Sequence, residues 1–216
     1  MQSNRDSALK VAEFLLQIKA VKLQPDKPFT WASGWKSPIY CDNRITLSFP
    51  KIRTYIRQEF VKIISEAFGK VDVIAGVATG GIAQGALVAQ ELGVPFVYVR
   101  SESKEHGMGN RIEGRIESGQ SVVLIEDLVS TGKSSLSAVD ALREVEADVK
   151  GMAAIFTYGF EAASEKFQAY NVPLLTLSDY DHLVEQATKS EYITAKEAES
   201  LKLWRQDPAN WGKEKV

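Results

Sequence analysis

The sequence predicts an α/β fold in which a mainly parallel central sheet is flanked by helices, with a small hood segment near the N-terminus. From Val71 onward, short apolar runs alternate with turns and helix-like stretches, namely VDVIAGV, PFVYV, SVVLIE, GMAAIFTY and PLLTL. The apolarity of these runs is continuous rather than alternating. Continuous apolarity indicates strands that are covered on both faces, as in a parallel sheet.

The composition is that of an ordinary globular protein. The chain has 216 residues, of which 44% are hydrophobic and 25% charged, so we expect a single domain over residues 1–216 without long disordered regions. The formal net charge of -2 offers no electrostatic reason to expect nucleic acid or an anionic membrane as a partner. No run approaches the roughly 18 apolar residues of a membrane span, and the N-terminal segment lacks the apolar block of a signal peptide. These features predict a cytoplasmic protein.

Soft metal ligands and disulfide partners are scarce. The single cysteine, Cys41, cannot form an internal disulfide, and with only two histidines the chain has few ligands for zinc. We interpret Cys41 as a half-buried thiol that serves packing.

Apolar residues at helical spacing predict two amphipathic helices in the first third of the chain. The first contains Ala8, Leu9, Ala12, Leu15, Leu16 and Ile18, and the second contains Ile52, Ile56, Phe60, Ile63, Ile64 and Phe68. The segment between them, residues 28–50, is rich in Pro, Ser, Gly and aromatic residues and predicts loops or short strands. At the other end, Thr194 and Glu197 have the spacing of a capping box, which predicts a helix over residues 194–204. Trp204 and Trp211 are interpreted as packing anchors.

A strand, a turn and a helix follow one another from Ser121 to Glu146. SVVLI predicts a buried strand, residues 127–133 a turn, and residues 134–146 a helix. Ligands of open α/β sheets gather at the carboxyl ends of strands, so this turn is well placed for a site. Ser130, Thr131 and Gly132 would bring backbone N–H groups and hydroxyls onto a phosphate, helped by the positive end of the helix.

Two carboxylates, Glu126 and Asp127, precede this turn. The letters GKS match the last three positions of the nucleotide-binding pattern G-x-x-x-x-G-K-[ST], but Asp127 occupies the place of its first glycine. Carboxylates would repel a polyphosphate unless they accept hydrogen bonds from hydroxyls or meet a cation. A ribose 5-phosphate unit suits both the turn and the acids, because its phosphate would bind to the turn and its 2′- and 3′-hydroxyls would bind to the carboxylates. The alternative is that the acids cap the turn and that GKS begins an ordinary helix.

Two further segments suit a pyrophosphate. In ATGGIAQGA, Gly80 and Gly81 allow close backbone approach to an anion before a helix that is predicted to begin at about Ile82, although a tight strand-helix turn would look the same. The arm, residues 100–119, carries Arg100, Lys104, His106, Arg111 and Arg115 among four glycines. So long a loop in a compact domain is usually a lid or a binding loop, and its basic groups would neutralise a leaving pyrophosphate. The alternative is a solvated surface loop.

The stretch from Val122 to Ser134 closely resembles the phosphoribosyl pyrophosphate (PRPP) signature of the type I phosphoribosyltransferases. FTWASGWKSPIYCDNR, which contains S-G-x-K-S-P-x-Y, resembles the hood of the orotate phosphoribosyltransferases, and so does K-E-H-G-x-G in the arm. The resemblance runs from about Phe29 to the C-terminal strands. It implies a type I phosphoribosyltransferase-like α/β fold with a hood at about 28–45, a PRPP-binding core at about 71–180 and a helical tail at about 194–216.

The same resemblance implies an activity. The 5-phosphoribosyl group of PRPP would pass to orotate, giving orotidine 5′-monophosphate and pyrophosphate in pyrimidine biosynthesis. Mg²⁺ would be bound mainly through PRPP, so no residue is assigned to the metal. The family also implies a homodimer in which the loop 100–114 of one subunit reaches the site of its neighbour.

Site residues follow from the matched motifs. The catalytic residues implied are Lys104 and His106, and Ser130 is implied to touch orotate as well as PRPP. The residues implied to bind PRPP are Arg100, Lys104, His106, Glu126, Asp127, Leu128, Val129, Ser130, Thr131, Gly132, Lys133 and Ser134. Tyr40, Lys36 and Arg44 have the aromatic surface and donors that an orotate pocket needs, although they would equally suit a packed or exposed hood.

The chain departs from the family pattern in several places. Some members carry lysine where this chain has Ala32, Gly80 and Ser101, and some have an arginine after the penultimate strand that meets the orotate carboxylate, whereas FTYGFEAA has none. Two other functions stay open at this point. One is transfer to a purine or to uracil, against which the hood segment argues. The other is a non-catalytic PRPP-sensing regulator, which would normally bring a DNA-binding element and a basic face.

Overall fold

The computed structural model describes residues 4–31, 34–101 and 111–212. Its helices are α1 (Arg5–Gln17), α2 (Pro50–Phe68), α3 (Gly80–Leu92), α4 (Lys133–Glu144), α5 (Glu161–Ala169), α6 (Tyr180–Lys189) and α7 (Ala195–Gln206). Its strands are β1 (Val21–Leu23), β2 (Phe29–Thr30), β3 (Lys36–Ser37), β4 (Ile39–Cys41), β5 (Val73–Val77), β6 (Phe96–Val99), β7 (Ile112–Glu113), β8 (Ser121–Val129), β9 (Asp148–Thr157) and β10 (Leu174–Asp179). None of the described helices is long and apolar enough to cross a bilayer.

A six-stranded sheet forms the centre of the described structure, in the order β10-β9-β8-β5-β6-β7. All neighbours are parallel except β6 and β7, which pair antiparallel at the edge. Both faces are covered, as the continuous apolarity of the strands predicts: one core lies against α1, α2 and α7, and the other against α4 and α5. The predicted α/β class with a mainly parallel sheet is confirmed.

Short antiparallel strand pairs and one 3₁₀ helix form the hood and the residues beside it. β1 pairs with β4, and β2 pairs with β3. A 3₁₀ helix over Asn43–Ser48, which the sequence analysis did not predict, follows β4. Its first turn is closed by side chains, because Asp42 accepts from the backbone N–H of Arg44 at 3.2 Å and Thr46 Oγ1 donates to the carbonyl of Asn43 at 2.6 Å. Local side-chain bonds of this kind favour turns and caps.

Aromatic side chains join the hood to the end of β9 and to the tail. The Trp204 ring, fully buried on α7, lies 5.6 Å from that of Trp31 in the hood and 5.8 Å from that of Tyr158 after β9. Tyr158 in turn stacks on Phe160 at 5.4 Å. The predicted role of Trp204 as a packing anchor is confirmed, and the tail helix is thereby fixed beside the hood.

Three predicted boundaries were wrong. Strand β8 runs to Val129 instead of ending before Asp127, because Leu128 and Val129 still pair with β9. The acids therefore lie in the strand, and the turn shortens to residues 130–132. Helix α3 begins at Gly80 rather than at Ile82, and α4 spans Lys133–Glu144 rather than 134–146, with Glu146 beyond it at a φ of 60°.

Candidate active site

Glu126 is the buried member of the acid pair. Its side chain is only 5% exposed. One carboxylate oxygen accepts from the Ser135 hydroxyl at 3.1 Å, and the other accepts from the backbone N–H of Asp127 at 3.1 Å. Burial, followed by the neighbouring Asp127 charge, raises the pKa of Glu126 well above its usual value. Glu126 is thus a buried carboxyl group that two hydrogen bonds fix at the base of the site.

The N-terminus of α4 is open to a ligand. Its N-cap residue is Gly132, in the left-handed region at φ 75°, and no side chain caps the helix. The alternative that Glu126 and Asp127 cap this turn is therefore not supported. A helix terminus leaves its first backbone N–H groups without intrahelical partners and carries partial positive charge. The turn at residues 130–132 and the start of α4 therefore suit a phosphate.

Asp127 lies where two predicted segments meet. Its carboxylate rests against Gly80 at the start of α3, so that a Cβ added to Gly80 would lie 2.2 Å from the carboxyl carbon. The next glycine, Gly81, is equally confined, because its added Cβ would lie 2.1 Å from the carbonyl oxygen of Ile125. The peptide between Ala78 and Thr79 in the same loop is cis. The structure thus brings the loop after β5 directly against the acids of β8.

A hood residue that the sequence analysis did not single out also reaches Asp127. The side-chain amide of Asn43 donates to the backbone carbonyl of Asp127 at 2.6 Å, and Asn43 is 1% exposed. The thiol of Cys41 donates to the other end of that amide at 3.2 Å. Burial, then the charges of Asp127 and Asp42, raises the pKa of Cys41. Cys41 is half-buried and packed as predicted; the local signal for Asn43 was only its place in CDNR, within the hood motif.

The three proposed orotate-pocket residues of the hood are exposed or already paired. Tyr40 is 41% exposed, with its ring 5.6 Å from Phe29. Lys36 donates to the Thr30 hydroxyl at 2.9 Å. Arg44 makes a bidentate pair with Asp42, at 2.7 Å and 3.0 Å. Their contact with orotate stays a prediction, and the charge of Arg44 is balanced within the hood.

The base of the arm is anchored on the described edge of the sheet. Arg100 lies 3.7 Å from the Glu113 carboxylate. Arg111 donates to the carbonyl of Arg100 at 3.2 Å and to the Ser137 hydroxyl on α4 at 2.9 Å. The predicted catalytic residues Lys104 and His106 lie outside the described residues, so their assignment stays a prediction.

The tail helix α7 places a positively charged side chain, Arg205, beside the segment FTYGFEAA, which itself contains no lysine or arginine. A Cβ added to Gly159, just after β9, would lie 3.4 Å from the Arg205 guanidinium of α7. Arg205 also bonds to the Asp181 carboxylate. A cavity of about 1400 Å³ includes Arg205 and Gly159 in its lining and extends from Trp35 of the hood to Thr131 of the turn after β8. Sequence reasoning missed Arg205 because the tail was read for packing alone.

Comparison with known proteins gives a consistent answer. Residues 47–187 match the model of the phosphoribosyl transferase domain. The chain is 55% identical over 202 residues to an orotate phosphoribosyltransferase of Porphyromonas gingivalis, covering 94% of this chain and 96% of that protein.

Solved structures agree with the sequence relatives. Orotate phosphoribosyltransferase from Aeropyrum pernix superposes with a TM-score of 0.74 at 27% identity, over 85% of this chain and 99% of that one. Leishmania donovani UMP synthase gives a TM-score of 0.78 at 25% identity, over 92% of this chain but only 42% of that longer chain. The chain belongs to the phosphoribosyltransferase family and, within it, to the orotate phosphoribosyltransferases.

Proposed function

We propose that the protein transfers the 5-phosphoribosyl group of PRPP to orotate, giving orotidine 5′-monophosphate and pyrophosphate in the synthesis of UMP. The observation that carries this proposal is the pair Glu126 and Asp127 near the end of β8, followed after residues 128–132 by the uncapped N-terminus of α4. A ligand with two hydroxyls and a phosphate at ribose spacing matches that arrangement. A nucleoside triphosphate held only by its phosphates does not.

The ribose 5-phosphate part of PRPP would bind along residues 126–134. The carboxylates accept hydrogen bonds from the 2′- and 3′-hydroxyls, while Ser130, Thr131 and the first N–H groups of α4 surround the 5-phosphate. Gly132 allows the backbone to turn around the phosphate, since its φ of 75° is one that glycine adopts without steric cost.

Pyrophosphate would leave between the loop after β5 and the arm. Arg100, Lys104 and His106 supply positive charge where negative charge develops, which is the main catalytic effect we expect. Orotate N1 enters at C1 of the ribose as pyrophosphate departs, through a loose, oxocarbenium-like displacement. No covalent enzyme intermediate is required.

The residues present fit Mg²⁺ that arrives with PRPP. No group of three or more His, Cys, Asp or Glu side chains that could hold a metal occurs among the described residues, whereas the acid pair provides hard oxygen atoms beside the ribose. Mg²⁺ in phosphate-transfer sites commonly uses one or two carboxylates together with phosphate oxygens and water. When bound, it would neutralise charge on the leaving pyrophosphate.

Orotate would lie between the hood and the turn after β8, touching Ser130. Its carboxylate needs a cation, and Arg44 is engaged by Asp42 in a bidentate pair. We propose Arg205 for this role, since it lines the cavity that joins Trp35 to Thr131 and stands against Gly159. The carboxylate would share the guanidinium with Asp181, because arginine presents several donors.

We further propose a homodimer in which the loop 100–114 of one subunit completes the site of the other. The support is the family resemblance and the mix of basic residues and glycines in that loop. A single domain and a cytoplasmic location, as expected from the sequence, complete the proposal.

The test is the release of pyrophosphate from PRPP by the purified protein with orotate, uracil, adenine, hypoxanthine or guanine. Turnover with orotate, exceeding the other bases by orders of magnitude, is expected. Efficient turnover of a purine or of uracil would refute the assignment of the acceptor. PRPP binding without turnover of any base would instead favour a PRPP-sensing regulator.

A further inference from the structure

We propose that Asn43 is a positioning residue that holds Asp127 in place for the ribose of PRPP and so joins the hood to the PRPP site. The proposal rests on the function proposed above. In the proposed mechanism, Asn43 contacts neither the ribose nor the reacting atoms, and it acts through Asp127.

The backbone of Asp127 depends on side chains for its hydrogen bonds. Strand β5 pairs with β8 only as far as Ile125. Beyond that point, the N–H of Asp127 donates to Glu126 at 3.1 Å and its carbonyl accepts from Asn43 at 2.6 Å. Buried backbone groups without partners are costly, so Asn43 replaces a strand partner at this position.

The orientation of the Asn43 amide is determined by its two neighbours. A carbonyl oxygen only accepts, so the group that faces Asp127 must be the NH₂. The opposite oxygen then accepts from the Cys41 thiol, at 3.2 Å. With 1% exposure, Asn43 has no room to exchange this bond for one with bulk water.

Asp127 therefore receives contacts from three segments of the chain. Asn43 comes from the hood, Glu126 from β8 itself, and Gly80 from the start of α3, against the Asp127 carboxylate. Loss of the hydrogen bond from Asn43 would free the backbone of Asp127 and so allow its carboxylate to move. The affinity for PRPP would then fall even though every residue that contacts PRPP is intact.

The experiment uses Asn43→Ala and Asn43→Leu in the full-length protein. Asn43→Leu keeps a side chain of similar shape but has no donor, so it is the second test if the alanine variant folds poorly. We expect the KM for PRPP to rise about tenfold, as for the loss of a buried hydrogen bond, with kcat at saturating PRPP within about threefold. Ser37→Ala is the matched control, because Ser37 is a buried hood residue that donates to Ile39 at 2.9 Å and has no bond to Asp127. It should lower the melting temperature without raising that KM.

A double-variant cycle separates positioning from a general structural role. If Asn43 acts through Asp127, the PRPP dissociation constant of Asn43→Ala combined with Asp127→Asn, measured by calorimetry, should match that of Asp127→Asn alone. Additive losses, or an unchanged KM for PRPP in both folded Asn43 variants, would overturn the inference. An unmodified protein that fails to turn over orotate would instead refute the proposed function, so the two failures are distinguishable.

Discussion

The carboxylate of Asp127 lies so close to Gly80 that a Cβ at position 80 would fall 2.2 Å from its carboxyl carbon and 2.5 Å from the farther oxygen. The two residues come from different strand-helix units, and each was predicted to serve a different part of PRPP. Their contact means that neither segment can change alone. A lysine at position 80, as some family members carry, would require Asp127 to move.

Gly80→Ala and Gly81→Ala should therefore fail in different ways. At Gly80 the obstacle is the end of a side chain, so Asp127 can swing aside; PRPP affinity should fall by at least about tenfold while the melting temperature changes little. At Gly81 the obstacle is the backbone oxygen of Ile125, at 2.1 Å, so the fold itself should lose about 1–3 kcal/mol. Calorimetric titration with PRPP and thermal unfolding of both variants decide the matter. Equal effects on stability would contradict this account.

Replacing both acids should separate binding from folding. Glu126→Gln combined with Asp127→Asn keeps the shape of the strand end and removes the charged acceptors for the ribose hydroxyls. We expect a severe loss of PRPP binding, by about 100-fold or more, since each charge-assisted bond contributes about 1.5–3 kcal/mol. Calorimetry measures the affinity, and circular dichroism checks the fold. Near-normal affinity in the folded double variant would refute the assignment of the acids.

The raised pKa of Glu126 predicts a pH dependence of stability. Because burial raises the pKa in the folded state, folding favours the protonated form. The stability that this group contributes is complete below the unfolded pKa of about 4.3 and is lost as the pH rises through the folded pKa. Glu126→Gln cannot ionise, so its melting temperature relative to the unmodified protein should increase between about pH 4 and pH 8. Thermal unfolding without ligands tests this, and a difference that shrinks with pH would contradict it.

Arg205→Ala should weaken the binding of orotate rather than that of PRPP. Loss of a guanidinium–carboxylate contact should raise the KM for orotate about 10- to 100-fold, with little change in the KM for PRPP. Arg205→Lys should recover part of the loss, because lysine keeps the charge but not the fork of donors. Lys196→Ala is the control, as it removes a positive charge from the exposed side of the same helix, and Lys196 does not line the cavity. If Arg205→Ala and Lys196→Ala behave alike in steady-state kinetics, another residue meets the carboxylate.

Mixing two inactive variants tests the proposed dimer. Lys104→Ala should lower kcat with little loss of stability, as expected for a lysine in a loop predicted from the sequence, and Asp127→Asn should disable the ribose site. If the loop acts in trans, a mixed dimer contains one site with neither lesion, so activity should return in part after subunit exchange. Mass spectrometry verifies the exchange. Verified exchange without regained activity would mean that the loop serves its own subunit.

The sequence by itself determined the parts of this protein that are encoded locally. Continuous apolar runs predicted the parallel sheet, the Thr194 and Glu197 pair predicted the capping box that α7 has, and the stretch from Val122 to Ser134 indicated the family. Each of these signals is carried by neighbouring residues whose spacing follows from helix or strand geometry. Only the family resemblance joined them into one candidate site.

The tertiary structure decided which distant residues meet. Asn43 and Asp127 are 84 positions apart, and no periodicity relates the hood to the end of β8. The extension of β8 past the acids likewise depends on pairing with β9, which a single segment does not encode. Arg205 stands against Gly159 because α7 is fixed beside the hood by the buried Trp204. Such contacts arise from the packing of whole elements, since they require the positions of two chain segments at once.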